Sequence, residues 1–217
     1  KNKITPIWEI SFPHSLGLLY SSFTYYCGFK VNSGEYKLMG LAPYGKPRYT
    51  SLIKDNLINI KDDGTFRLDM SYFKFHRGFR MISKKFERLF GKPSREKESE
   101  LTQFHMDVAA SIQNVTEEIV LKLAKSLRKE TCKENICLAG GVALNCVANG
   151  KLINEKIFKN IWIQPASGDA GSSLGAALTV WHEYLDKPRE VNPNDSMKGA
   201  YLGCYFSNKE IIGYLKN

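Results

Sequence analysis

The sequence is short of the residues that build metal cages and disulfide frameworks. Its histidines, His14, His76, His105 and His182, stand far apart, and no pair of its cysteines has CxxC spacing. Cys27, Cys132, Cys137, Cys146 and Cys204 are odd in number, so we expect free thiols in a reducing cytoplasm rather than disulfides or a zinc site. Cys146 has no histidine near it in sequence to activate it and is not read as a nucleophile. No apolar run approaches the roughly 18 residues of a membrane span. No signal-peptide pattern is read at the start, and a chain that opens on Lys1 without methionine is expected to be a segment of a longer protein. Disorder is excluded as well, because 43% of the residues are hydrophobic and 24% charged, an ordinary globular composition. At 217 residues the chain suits one large domain or one and a half.

Positive charge is in excess. A formal net charge of +9 favours an anionic partner, either phosphate compounds or nucleic acid. Much of it lies between Arg77 and Lys97, interleaved with Met81, Ile82, Phe86 and Phe90 at amphipathic spacing. A solvated helix face explains that run better than a nucleic-acid patch.

The chain is organised around Asn135 to Gly175, NICLAGGVALNCVANGKLINEKIFKNIWIQPASGDAGSSLG. Two short apolar runs, Ile136–Ala139 and Ile161–Ile163, read as buried parallel strands. The first ends in Gly140-Gly141 and leads to a helical pattern from about Ala143; the second ends in PASGD and leads to another helix. Strand, glycine turn, helix, twice over, is how an α/β protein places backbone N–H groups around a phosphate. A glycine pair alone is a tight βα turn; two turns in register, the second carrying Asp169, point to a nucleotide site. Asp169 also suits a plain helix N-cap, worth ~1 kcal/mol.

Around this stretch, His14 to about Cys27 reads as a helix burying Leu16, Leu19, Tyr20 and Phe23, after an extended or strand-like segment ending at Pro13. GEYKLMGLAPYG (Gly34 to Gly45) makes two helical turns and presents Lys37, either a surface lysine or a phosphate contact. Pro47 to Ile60 has helical spacing, and Asp63-Gly64 is a hairpin signal between strand-like flanks, Leu57–Ile60 or Lys61 and Thr65–Leu68. Tyr72 to Phe90 reads as an aromatic and basic insertion covering one face. The longest helix is expected from Ser99 to Lys129, with apolar residues from Leu101 to Leu127 at steps of three and four. His105 and Gln113 on it are read as satisfied polar residues. The helix after Asp169 carries Leu174, Leu178, Trp181 and Leu185 on one side. A polar stretch follows Pro188. Then Tyr201-Leu202-Gly203 is strand-like, and Ser207 caps a last helix.

Three stretches together, SFPHSLGLLYSSFTYYCGF, GEYKLMGLAPYG and LAGGVALNCVANGKL with QPASGDAGSSLGAAL, resemble the ATP-dependent O-carbamoyltransferases of nodulation-factor and antibiotic biosynthesis. They are also similar to the tRNA threonylcarbamoyltransferases. The resemblance covers nearly the whole chain and implies an α/β, actin-like ATPase (ribonuclease H-like) fold. It implies an actin-like carbamoyl-transfer domain over 1–187, a linker over 188–198 and the start of a carbamoyl-adenylate-forming domain over 199–217. The family's reaction makes carbamoyl-adenylate from carbamoyl phosphate and ATP, then passes the carbamoyl group to a hydroxyl of a sugar or natural-product acceptor. Carried over by motif, Gly140, Gly141 and Val142 would line the nucleotide and Asn145 would hydrogen-bond its ribose or base. Lys37 and Gly45 match the loop that closes over it. Asp169 matches the aspartate ligand of a divalent metal, iron in type, acting as a Lewis acid.

The family's metal histidines, at HxxxH spacing, have no counterpart here, so half a site is expected, with weak metal binding and no turnover by this segment alone. Two rival readings stand beside this one. A tRNA threonylcarbamoyl-transfer subunit would suit the positive charge, and a non-catalytic actin-like module would bind nucleotide without any dependence on carbamoyl phosphate.

Overall fold

One helix carries most of the packing, and its sequence explains why. The computed structural model describes residues 3–190, 192–195 and 197–216. α5, Gln103–Thr131, is 29 residues long, roughly 44 Å at 1.5 Å per residue. It starts after Thr102 rather than at Ser99, because the Thr102 N–H donates to Nδ1 of His105 at 3.1 Å and closes the first turn. Cys132, with φ +53°, ends it in the left-handed conformation. Val108, Ile112, Val115 and Ile119 are fully buried, as their spacing requires.

Four shorter helices belong to the same core: α1 (Leu16–Tyr26), α2 (Glu35–Leu41), α3 (Thr50–Asn56) and α4 (Lys84–Phe90). α1 is capped by Ser15, whose Oγ accepts the Leu18 N–H, and it buries Leu19, Phe23 and Tyr26. The segment before it, expected to be extended or strand-like, contains no strand. Leu38 of α2, Ile53 of α3 and Phe86 of α4 complete this core. The aromatic and basic segment is therefore not an added cover. Phe73 and Phe86 are core residues, and Phe86 meets Phe23 and Tyr26 edge-on at 5.2 Å, contacts worth ~0.5–1.5 kcal/mol each beyond their area. Helix in the basic run is confined to α4; Arg77 and Arg80 sit in the preceding loop.

The helical spacing read to Ile60 breaks at Asn56, where the hairpin takes over. β1 (Ile58–Ile60) pairs antiparallel with β2 (Phe66–Leu68), and the turn is closed by Thr65, whose N–H and hydroxyl both donate to Asp63. The second sheet is parallel: β3 (Asn135–Leu138) pairs with β4 (Asn160–Ile163), Leu138 opposite Ile163. α6 (Cys146–Asn154) connects them. Leu152, Phe158 and Ala124 pack under this sheet with Ile136, Leu138 and Ile161. The architecture is mixed α/β with two small sheets.

These elements form one compact unit, Thr5–Ser172; a second begins at Ser173. α7 (Gly171–Thr179) is followed by a single wider turn, Val180–Tyr184, so the one long helix expected after Asp169 is in two pieces. Leu174, Leu178, Trp181 and Leu185, the apolar residues read on one side of it, are 40–51% exposed. In this second unit Glu183 accepts the N–H of Ile4. Of the expected linker, Val191 and Ser196 lie outside the described residues. Tyr201–Gly203 forms no strand. α8 (Asn208–Leu215) begins as its sequence requires, with Ser207 Oγ and Glu210 capping each other. No helix among the described residues is long and apolar enough to cross a membrane.

Candidate functional site

Parallel pairing of β3 and β4 brings the ends of both strands to the same edge, and the turns that follow them meet there. The N–H of Gly140 donates to the Ser167 carbonyl at 2.7 Å. A Cβ built on Gly168 would lie 3.4 Å from Leu144 Cδ1. Gly140 has φ +99°, a conformation that side chains resist. Yet a Cβ on Gly140 or Gly141 would meet no atom within 4 Å. Beside both glycines there is open space, where backbone amides can approach a ligand.

From Gly141 to Leu144 the chain makes one tight helical turn. Gly141 and Val142 open it, so their N–H groups have no acceptor inside the turn. The turn lies against α1, because a Cβ on Gly17 would be 3.6 Å from a Val142 methyl.

A buried polar network braces the turn from behind. Asn145 Oδ1 accepts the Ala148 N–H at 3.0 Å, which caps α6, and the Gln113 amide at 3.1 Å. Asn145 Nδ2 returns a bond to Gln113 Oε1 at 3.0 Å. Gln113 Oε1 also accepts from the Tyr20 hydroxyl, and its Nε2 donates to Glu117 at 2.9 Å. Lys151 of α6 then pairs with Glu117 at 2.9 Å. Burial pushes the Tyr20 hydroxyl above the usual phenol range, with the nearby Asn145 amide opposing the shift. Gln113, read from sequence only as a satisfied polar residue, is the hub. The signal was an i, i+4 pair, Gln113 and Glu117, set in an apolar stripe.

The other candidate residues are placed as follows. Gly140, Gly141 and Val142 form the open turn, and Asn145 is held inside the protein behind it. Lys37 is exposed on α2, a helix that reaches the start of α6 through Met39, whose sulfur is 3.8 Å from that of Cys146. Gly45 has a packing reason of its own: a Cβ there would sit 2.0 Å from the Met106 carbonyl of α5. The adjacent Lys46 N–H donates to Asp107 at 2.8 Å. Asp169 is exposed. It stands two residues ahead of the first residue of α7, and its carbonyl accepts the Ser172 N–H. Gly171 is needed for the fold of this turn, since a Cβ would fall 2.1 Å from the Ala166 carbonyl. Ser167 is 5% exposed and its hydroxyl has no partner among the described residues.

Among the described residues no three histidine, cysteine or acidic side chains gather as a metal set. All five cysteines are free. Cys27 is buried, which pushes its thiol up to about 12 despite the opposing charge of Arg95, so it is inert.

Comparison with known proteins identifies the family. The family model described as the carbamoyltransferase N-terminus matches residues 1–178. The chain is 65% identical over 215 residues to an uncharacterized protein, sll1178, of Synechocystis sp., covering 99% of the chain and 35% of that protein. It is 39% identical to the nodulation protein NolO of Bradyrhizobium diazoefficiens, over 93% of the chain and 34% of the relative. Against the nodulation protein NolNO of Sinorhizobium fredii the identity is 36%, over 93% of the chain and 27% of the relative. The chain thus spans about a third of the length of the curated relatives it matches. The match over residues 1–178 places the chain in the carbamoyltransferase family.

Proposed function

We propose that the chain is part of an O-carbamoyltransferase that moves a carbamoyl group from carbamoyl-adenylate, made from carbamoyl phosphate and ATP, to an acceptor hydroxyl on a sugar or natural product. In this reading residues 1–187 belong to an actin-like carbamoyl-transfer domain, and 199–217 begin the domain that makes the adenylate. The observation that supports it is the hydrogen bond from Gly140 to Ser167, which joins the second turn to the first beside the open space at Gly140 and Gly141.

The chain's own residues would act on the phosphate side of the mixed anhydride. The N–H groups of Gly141 and Val142 would face the phosphate, and the absent side chains of Gly140 and Gly141 would let it approach. The acceptor oxygen bonds to the carbamoyl carbon, the bond from that carbon to the phosphate oxygen breaks, and AMP leaves with that electron pair. The hydroxyl proton passes to solvent or a base. Asn145 would keep the turn in place, and Lys37, on the exposed side of α2, would meet the nucleotide as that segment closes.

Asp169 is proposed as one carboxylate ligand of a divalent, iron-type ion. The described residues do not build a metal centre by themselves, and no step here is routed through one.

The test is calorimetry of the chain with ATP and AMP, beside the Gly141→Val variant. We expect nucleotide affinity in the parent and a loss of about tenfold or more in the variant, with thermal stability unchanged because the valine fills open space. Equal affinity in both proteins would overturn the reading, and so would no binding by the parent.

A further inference from the structure

A cavity of about 430 Å³ lies between residues 9–14 and the β1–β2 hairpin, a volume suited to a small organic ligand. Its walls include His14, Lys61, Arg67, Glu9, Phe12 and Phe66. The hairpin fixes the state of His14. The backbone N–H of Leu68 donates to Nδ1 of His14 at 3.1 Å, so that nitrogen carries no proton and the ring hydrogen is on Nε2. With Nδ1 taken by the hairpin, Nε2–H is the polar group His14, a wall residue, has left for a ligand. Lys61 and Arg67 form no ion pair among the described residues. A larger hollow beside it, about 560 Å³, shares Arg67 with it, but its two lysines, Lys54 and Lys122, are both paired with Glu118, whereas Lys61 lines the smaller cavity alone.

We propose that this cavity is a binding site for a hydroxylated organic anion. Its phosphate or carboxylate would be taken by Arg67, Lys61 and the Nε2–H of His14. Glu9, the acid in the wall, accepts the ligand's hydroxyl hydrogens. Phe12, 69% exposed on the rim, offers a flat apolar face to the ligand's carbon skeleton, and Phe66 forms the floor. Position suits a role next to the glycine turn: His14 precedes α1, and Gly17, three residues on, lies against Val142. The cavity and the turn thus flank the same end of α1. That the bound compound is the carbamoyl acceptor rests on the reading in the preceding section; that the cavity binds such an anion does not.

The experiment titrates the chain with glucose 6-phosphate, glucuronate, glucose and inorganic phosphate. Affinity is read by calorimetry and the His14 imidazole by nitrogen NMR. Without ligand, Nδ1 of His14 should show the unprotonated signature. Glucose 6-phosphate and glucuronate should both bind and shift Nε2, and their ratio tells whether phosphate or carboxylate is preferred. Glucose should bind about tenfold more weakly, the worth of one charge-assisted contact. The Lys61→Gln/Arg67→Gln double variant, both exposed positions, should lose about tenfold or more at unchanged melting temperature. Glucose binding as tightly as the anions would overturn the proposal. So would inorganic phosphate matching glucose 6-phosphate, a double variant that binds like the parent, or a His14 signal that no probe moves. No readout involves nucleotide or carbamoyl transfer, so failure of the transfer reading leaves the result interpretable.

Discussion

The turns after β3 and β4 meet at one hydrogen bond but are held in place by different means. The first, around Gly140, has open space in front and buried side chains behind: Gln113, Asn145, Tyr20 and Glu117 are all under 9% exposed and bonded to one another. The second, around Asp169, is held by backbone turns, with Gly171 packed on Ala166, and its carboxylate is exposed. A turn braced by side chains is sensitive to substitution far away on α5. One braced by its own backbone is sensitive only within itself.

Cutting the brace is the severest test of that difference. Gln113→Leu leaves Asn145, Glu117 and the Tyr20 hydroxyl short of partners in a buried place, each costing ~1–3 kcal/mol. We expect a loss of about 2–4 kcal/mol in urea unfolding, together with weaker nucleotide binding. Asp169→Ala, by contrast, should change stability by less than ~0.5 kcal/mol. Equal losses from the two substitutions would erase the distinction.

Within the turns the comparison reverses. Gly171→Ala forces a methyl onto the Ala166 carbonyl and should cost about 1–3 kcal/mol. Gly141→Ala enters open space and should cost less than ~1 kcal/mol. Thermal melts of the two variants check the ranking.

Acid offers a way to loosen the start of α5, the helix that carries Gln113 and Glu117, without mutation. His105 must be neutral to accept the Thr102 N–H that starts α5. Burial, then the charges of Arg95 and Lys92, hold its pKa below the ordinary value. A histidine whose folded pKa is depressed contributes its full stability above the unfolded value, about 6.5, and loses it as pH falls below that. Asp107 on the next turn follows at lower pH. Burial works against its charged form, but the Lys46 N–H, the Gln103 amide and Arg48 outweigh it and keep the carboxyl below its usual range. Its contribution is present above about pH 4 and fades beneath it. We expect ~1 kcal/mol less stability at pH 5.5 than at 7.5, and a flatter profile for His105→Gln, which keeps the acceptor without the titration.

Much of this was legible in the sequence because it depends on spacing. The stripe from Val108 to Ile119, the Asp63-Gly64 hairpin, the Ser207 cap and the parallel pairing before the two turns follow from local pattern, but β3 and β4, expected to be buried, alternate exposed and half-buried residues. What could not be read depends on partners remote in the chain. Gln113 meets Asn145 across 32 positions, and nothing near either residue announces the pair. Residues 57–60 carried both helical spacing and the look of a hairpin flank, and pairing with β2 decides for the strand. Asp169 suited a helix start, and the turn after Pro165 runs on to Gly171 before the helix begins. Gly45 matched a motif, and its position also reflects the closeness of Met106.

The smallest expected effect is the one that separates the turns most cleanly. Ser167 lies where they join: its carbonyl takes the Gly140 N–H, while its hydroxyl is buried without a partner among the described residues. An unpaired buried hydroxyl costs stability, so Ser167→Ala should hold the fold as well as the parent or better, by up to ~1 kcal/mol. The backbone bond to Gly140 needs no side chain and should survive, leaving nucleotide affinity within about twofold, ~0.4 kcal/mol. If the variant is instead destabilised, the hydroxyl has a partner in solution, and the second turn too is braced by a side chain. The asymmetry between the turns would then be one of exposure alone, since each would depend on a buried polar group behind it.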